Sequence, residues 1–434
     1  MTTTSVSRRA ADARLLFPDA IHRVHLAGAF EGWRAALELL GLEVSDAEPD
    51  LVVGDDVRAA ALGRSPHVLL YGAHRRELRR AGYATQTLLV RPGRNGDRLF
   101  VPVQFPSAVA HAFIEPVAGR TFARQLLARG ALTAARLGLE APGVITIGSR
   151  EGGLPHPLVA AGVDASEWYL FTGEGDDQQR MVWFCFDGGS APTRVVKCGR
   201  VPGRHDSFDR DEQVLALLDV LPDDLRAHAP RLLGRADIDG LPVSIETAAP
   251  GQPLYQRLSM AHVDAIADWI VAVGRATALA PERMDDGWPP IAPVLQHNDL
   301  GCWNIVVTDD SFMAIDWESG RRAGLPLWDL VYFLTDALSS IEQRGSTSGK
   351  HAAMLALLRG EFASSTVLFA RLRDAADAAG VPVDLIGEVV TRCWDHHAES
   401  AGKRPASAGP LTRIATEWHR DPRLGREWPA FRAS

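Results

Sequence analysis

Three oxygen-bearing side chains stand close together in the segment QHNDLGCWNIVV at 296–307 and the MAIDWE at 313–318: Asp299, Asn304 and Asp316. Asp299 and Asn304 lie on a loop that enters a strand, and Asp316 ends the return strand of the hairpin NIVVTDDSFMAIDW. A hairpin brings its two ends to one place, so Asn304 and Asp316 are expected side by side at its open end. A carboxylate and an amide oxygen with few other protein ligands suit magnesium, which keeps several waters and takes further ligands from phosphates. Asp299 beside such a metal would accept or orient the proton of an attacking hydroxyl, because phosphoryl transfer asks a protein mainly for positioning and charge neutralisation. Glu318, two residues past Asp316, points to the same side of a strand and is a candidate for the metal's outer shell.

A second signal comes from composition. Of 46 basic residues only Lys197, Lys350 and Lys403 are lysine, the rest being arginine. Where arginine is the rule, Lys197 inside the apolar strand TRVVKCG is expected for its compact ammonium head, which a planar guanidinium does not imitate.

The elements that must position these residues follow from periodicity. Residues 166–200 alternate with period two in WYLFTG, RMVWFCF and TRVVKCG, separated by turn formers, which predicts an antiparallel meander. A helix is expected at FDRDEQVLALLDV, with acidic residues in its first turn as the macrodipole favours. Two more strands are expected around PRLLGRAD and LPVSIETA, and from residue 256 the pattern turns helical. Before the meander, residues 21–105 alternate short apolar runs with helical stretches, a βαβ rhythm that predicts a small α/β domain with a mostly parallel sheet. Its first turn, Gly28-Ala-Phe-Glu-Gly32, lacks the GxGxxG that lets a backbone approach a pyrophosphate. The expected division is 1–120 for that α/β domain, 121–165 for a joint, 166–255 for a strand-rich lobe and 256–434 for a helical lobe.

HNDLGCWN followed by IDWE resembles the aminoglycoside phosphotransferase and choline kinase family, whose catalytic segment reads HxDxxxxN with a metal-binding Asp on the next strand. The similarity extends from about Trp168 to Phe333. It implies an α+β, protein-kinase-like bilobal fold with ATP and Mg2+ as cofactors and a small-molecule hydroxyl as acceptor: a sugar, an aminoglycoside-like compound, choline or another amino alcohol. HND in place of HGD leans toward the choline-type members. Within the resemblance Asp299 is the catalytic base, Asn304 and Asp316 hold the metal, and Lys197 holds the phosphates. Glu212 would be its ion-pair partner, and Ile245-Glu246-Thr247 the hinge whose backbone meets adenine. His297 is expected to brace the loop, and Asp329 in LPLWDL to have a structural part. Gly173-Glu-Gly-Asp-Asp177 departs from the glycine loop of protein kinases and leaves ATP and GTP both open. A non-catalytic nucleotide- or metabolite-binding module is the alternative, against which the intact ligand set argues. The N-terminal segment resembles a truncated Rossmann-type domain that binds a nucleotide or S-adenosylmethionine, with RPGRNGDRLFVPV similar to the strand and turn late in methyltransferase domains. Only about ten residues separate LEVSD from VRAAALG, which leaves no room for the usual helix and favours a scaffold or docking role.

The remaining features point elsewhere. The 434 residues carry a formal charge of -8 with scattered basic residues, which gives no footprint for nucleic acid. No window is apolar enough for a membrane span or a signal peptide, so a cytoplasmic protein is expected. Cys185, Cys198, Cys302 and Cys393 are widely spaced and expected to be reduced thiols. Trp168, Trp183 and Trp303 read as core or pocket lining, Asp395-His-His-Ala-Glu399 as a solvated helix, and Gly345-Ser-Thr-Ser-Gly-Lys350 as a connection.

Overall fold

The computed structural model describes residues 15–431 apart from 18–20, 40, 59–64, 93–96, 115–121, 140–142, 151–157, 173–179, 201, 286, 344–348 and 403–407. The turn at 173–177 and most of 345–350 therefore lie outside the described residues. The chain is mixed α+β and divides into two compact units, one of Met1–His205 with Leu233–Ala248 and one of Asp206–Leu232 with Ala249–Ser434.

The first unit is organised on a 12-stranded sheet. Its strands are β1 (Arg23–Leu26), β2 (Glu43–Val44), β3 (Leu51–Gly54), β4 (His67–Tyr71), β5 (Ala84–Pro92), β6 (Asp97–Pro102), β7 (Val144–Ser149), β8 (Glu167–Phe171), β9 (Met181–Phe186), β10 (Arg194–Cys198), β11 (Leu232–Ile238) and β12 (Leu241–Thr247). Their spatial order is β11-β12-β10-β9-β8-β6-β5-β7-β4-β3-β1-β2. The expected parallel arrangement holds for β2, β1, β3 and β4. LVVG of β3 is buried throughout, as a near-continuous apolar run requires when a parallel strand is covered on both faces. The strand at TLLV does not continue this pattern: β5 pairs antiparallel with both β6 and β7, and β7 also pairs antiparallel with β4. The meander β8, β9 and β10 is antiparallel as expected. It is joined to the N-terminal strands through β6, which pairs with β8 at Leu99↔Phe171 and Phe100↔Leu170. One buried apolar cluster runs from Leu15 to Val243 along this sheet and includes Trp168 and Trp183.

The second unit is largely helical: α1 (Asp206–Asp219), α2 (Met260–Ala276), α3 (Trp328–Glu342), α4 (Lys350–Leu358), α5 (Ser364–Ala378), α6 (Ile386–Gly402) and α7 (Ala408–Arg420). Ser259 caps α2 by accepting the His262 N–H, which satisfies one of the amides left over at a helix start. Two small antiparallel pieces are set among the helices: β13 (Gln252–Pro253), β15 (Ile305–Val307) and β16 (Phe312–Ala314) in one, β14 (Val294–Gln296) and β17 (Arg321–Gly324) in the other. A single cluster from Val214 to Phe431 forms its core. All four cysteines are buried and none forms a disulfide. Among the described residues no helix is long and apolar enough to cross a membrane.

Candidate functional site

The loop at 297–304 leaves β14 and enters β15. Its shape is fixed by side chains from α3. The Asp329 carboxylate accepts the backbone N–H of His297 at 2.6 Å and of Asn298 at 2.9 Å. Two helical turns later Asp336 accepts the Cys302 N–H at 2.9 Å and pairs with Lys350. Between them the Tyr332 phenol lies beside the Asp299 carboxylate. Residues spaced i, i+3 and i+7 share one helix face, so a single face of α3 meets the loop at three points. Burial, followed by the charges of Asp299 and Asp336, pushes the Tyr332 phenol well above its ordinary range and keeps it a donor. Burial likewise raises the Asp329 carboxyl, an effect opposed by the two backbone amides it accepts.

His297 is wholly buried and braces the loop from the inside. Its Nε2 faces the Ile315 carbonyl at 2.9 Å, and its Nδ1 faces the Asp299 N–H at 3.4 Å. A carbonyl on one side and an N–H on the other fix the neutral ring as the Nε2–H tautomer. The same ring thus ties the residue before Asp316 to Asp299 itself.

The hairpin does what its alternation predicts. Ile305 pairs with Ala314, and the Ile315 N–H donates to the Asn304 carbonyl at 2.8 Å, so the backbone next to Asp316 meets Asn304. The Asn304 side chain spends its Nδ2 on Asp299, at 2.8 Å from the carbonyl and 3.3 Å from Oδ2. That leaves its oxygen as the atom turned elsewhere. Asp316 adopts a left-handed backbone (φ 68°, ψ 61°), as does Asn298 (φ 71°). Leu327, two residues before Asp329, does the same at φ 69°, an unfavourable state for a bulky side chain. Such strain persists only where the surroundings over-determine it and tends to gather at working sites. Past Asp316, the turn Trp317–Ser319 packs against α1, where Arg210 Nε donates to the Glu318 carbonyl at 3.2 Å. Gly320 permits this approach, because a Cβ there would lie 2.8 Å from Val214 Cγ2.

In the first unit a second constellation sits on the sheet. Lys197 of β10 lies opposite Ser244 of β12, and Glu246 is the next residue on that face. Lys197 Nζ is 2.9 Å from Glu246 Oε2, and the Ser244 hydroxyl donates to Glu246 Oε1 at 3.2 Å. Glu246 therefore presents its carboxylate to the lysine, a contact its place in the expected hinge did not foretell. Thr247 closes β12 opposite Arg194, and Glu212 lies on α1 in the second unit.

No family model matches the chain, and no curated protein matches it. Among solved structures, aminoglycoside phosphotransferase APH(3'')-Id from Streptomyces rimosus is 18% identical, with 51% of this chain and 93% of that one covered at a TM-score of 0.32. The same enzyme in complex with ADP and streptomycin gives 16% identity, 52% and 90% coverage, and a TM-score of 0.33. At these values the likeness does not decide a reading, and the chain's own side chains must carry it.

Tyr332 and Asp336 were missed from the sequence, although a signal for them exists. WDLVYFLTDALSS is apolar except for polar groups recurring on one face, and buried polar side chains on such a helix must be satisfied by something. Trp168 and Trp183 belong to the sheet core, whereas Trp303 is 43% exposed with Lys350 Nζ 5.5 Å above its ring. The DHHAE helix is not merely solvated. His397 stacks on Tyr332 at 3.8 Å, the Asn298 amide meets His396 Nε2 at 3.2 Å, and Asp395 pairs with His419 at 2.7 Å. Among the described residues no group of three or more His, Cys, Asp or Glu is placed to hold a metal ion.

Proposed function

We propose that this chain is a phosphotransferase that moves the γ-phosphoryl group of ATP to a hydroxyl of a small molecule, a sugar, an aminoglycoside-like compound or an amino alcohol. The observation that carries this reading is the way Asp299 is held. Its carboxylate takes the Asn304 amide and lies beside the Tyr332 phenol, on a loop whose backbone is clamped by Asp329 and Asp336. A carboxylate so oriented is suited to accept the acceptor's hydroxyl proton, and geometry is the first requirement of a general base.

The donor set fits magnesium. Asn304 has its nitrogen committed to Asp299 and its oxygen available, and Asp316 follows the residue hydrogen-bonded to Asn304. An amide oxygen and a carboxylate are the hard ligands this ion takes when waters and phosphates supply the rest. ATP with magnesium, when bound, brings the transferable group and the charge neutralisation. Lys197 is the cation for the phosphates, its ammonium oriented by Glu246, and the 245–247 backbone serves the base.

The test is an ADP-release assay over a panel of hydroxyl acceptors, with thermal shift against ATP and magnesium. Wild type should turn over in an acceptor-dependent way. Asp299→Asn should lose about 10³-fold in kcat while keeping its nucleotide-dependent stabilisation. Asp316→Ala should lose the magnesium-dependent part of that shift. Wild type unmoved by ATP and magnesium, or an Asp299→Asn variant with full activity, would overturn the assignment.

A further inference from the structure

A cavity of about 260 Å³ lies inside the helical unit, between the end of α2, the start of α3, the end of α5 and β14. Its walls are mostly apolar, with Val273, Leu295, Trp317, Leu327 and Ala375 among them. Protein interiors are packed to crystal density, and an apolar void of roughly 150 Å³ already accepts a benzene molecule. A space of this size among helices is thus a receptacle for an apolar group.

Two charged residues border it, and they are not equivalent. Asp329 is half-buried, and its two oxygens are taken by the His297 and Asn298 amides. Arg275 stands exposed in the last turn of α2, and no hydrogen bond or ion pair is made by its side chain among the described residues. An apolar interior with an uncommitted guanidinium at its border matches a ligand with a hydrocarbon body and an anionic head, since arginine offers a planar fork to a carboxylate. We propose that this cavity holds the hydrocarbon chain of a carboxylic-acid amphiphile whose head group pairs with Arg275. The occupant would touch Leu300 and Trp317, the residues directly after Asp299 and Asp316. The site stands whether or not the chain transfers phosphate.

Octanoate and 1-octanol, titrated calorimetrically into the full chain, test the proposal. One octanoate should bind per chain in a saturable way, about tenfold more tightly than octanol, the value of one charge-assisted hydrogen bond. Arg275→Gln should bring the two affinities together without abolishing either. Ala375→Leu, which fills the interior, should remove binding of both. If circular dichroism shows that Ala375→Leu has not folded, Ala378→Leu in the same wall is read in its place with the same expectation. Wild type that binds neither probe, or both equally, or a filled variant that binds octanoate like wild type, would overturn the proposal.

Discussion

Around the loop at 297–304, Asp329 holds two neutral backbone amides and Tyr332 sets a neutral phenol beside Asp299. On the sheet, Lys197 and Glu246 meet as two full charges with side chains only 8% and 3% exposed. The first arrangement spreads its cost over several hydrogen bonds, each modest in net value. The second concentrates it, because two ions taken out of water are tolerable only while both remain. The difference teaches where each region is brittle: the loop should lose its geometry by degrees, the sheet pair all at once.

The sharpest way to break the comparison is at its charged end. Glu246→Gln removes the carboxylate but not the buried ammonium, and should cost about 4 kcal/mol in chemical denaturation. The double variant Lys197→Met with Glu246→Leu should recover most of that loss, since apolar replacements of similar volume spare both desolvation costs. Asp329→Ala leaves two loop amides without their acceptor and should cost about 3 kcal/mol. A smaller loss for Glu246→Gln than for Asp329→Ala would reverse the contrast.

The loop's side of the comparison also predicts a pH response. His397 is pushed down from 6.5 to about 3, first by burial and then by the charge of His396, so its native ring is neutral. Between those values the unfolded chain binds more protons than the native one, and stability therefore rises with pH across that window. The contribution is complete above about pH 6.5 and drains away as pH falls toward 3; about 3 kcal/mol should be gone by pH 4. His397→Phe keeps a ring on Tyr332 and should flatten that part of the stability profile, measured by denaturation at pH 4 and 7.5. An unchanged slope would mean that the ring is protonated in the native protein.

What could be read from the sequence was local. The hairpin that brings Asn304 to the residue before Asp316 is written in its alternation and in the Asp-Asp-Ser turn. The rarity of lysine singled out Lys197 without any partner being known. Glu246 needed more, because its contact with Lys197 depends on the register that sets Lys197 opposite Ser244, across an intervening helix and strand. The insertion of β7 between β4 and β5, and the joining of β6 to β8, are likewise long-range pairings that a βαβ rhythm does not encode. Asp336 and Tyr332 were hidden for another reason: an apolar helix is assigned by its hydrophobic face, and the few polar residues on its other side show their purpose only once a loop lies against them.

The smallest expected effect is also the most selective. Tyr332→Phe keeps the aromatic ring, with its stack on His397 at 3.8 Å and its edge contact with Trp303, and removes only the hydroxyl beside Asp299. If that hydroxyl orients the carboxylate toward an incoming acceptor, kcat should fall about tenfold, the value of one charge-assisted hydrogen bond, with KM for nucleotide and acceptor unchanged. A group that merely filled space would leave kcat alone, and one that shaped the acceptor pocket would raise KM instead. The split between kcat and KM therefore says whether the neutral donor on α3 acts on the reacting carboxylate or only on the packing behind it.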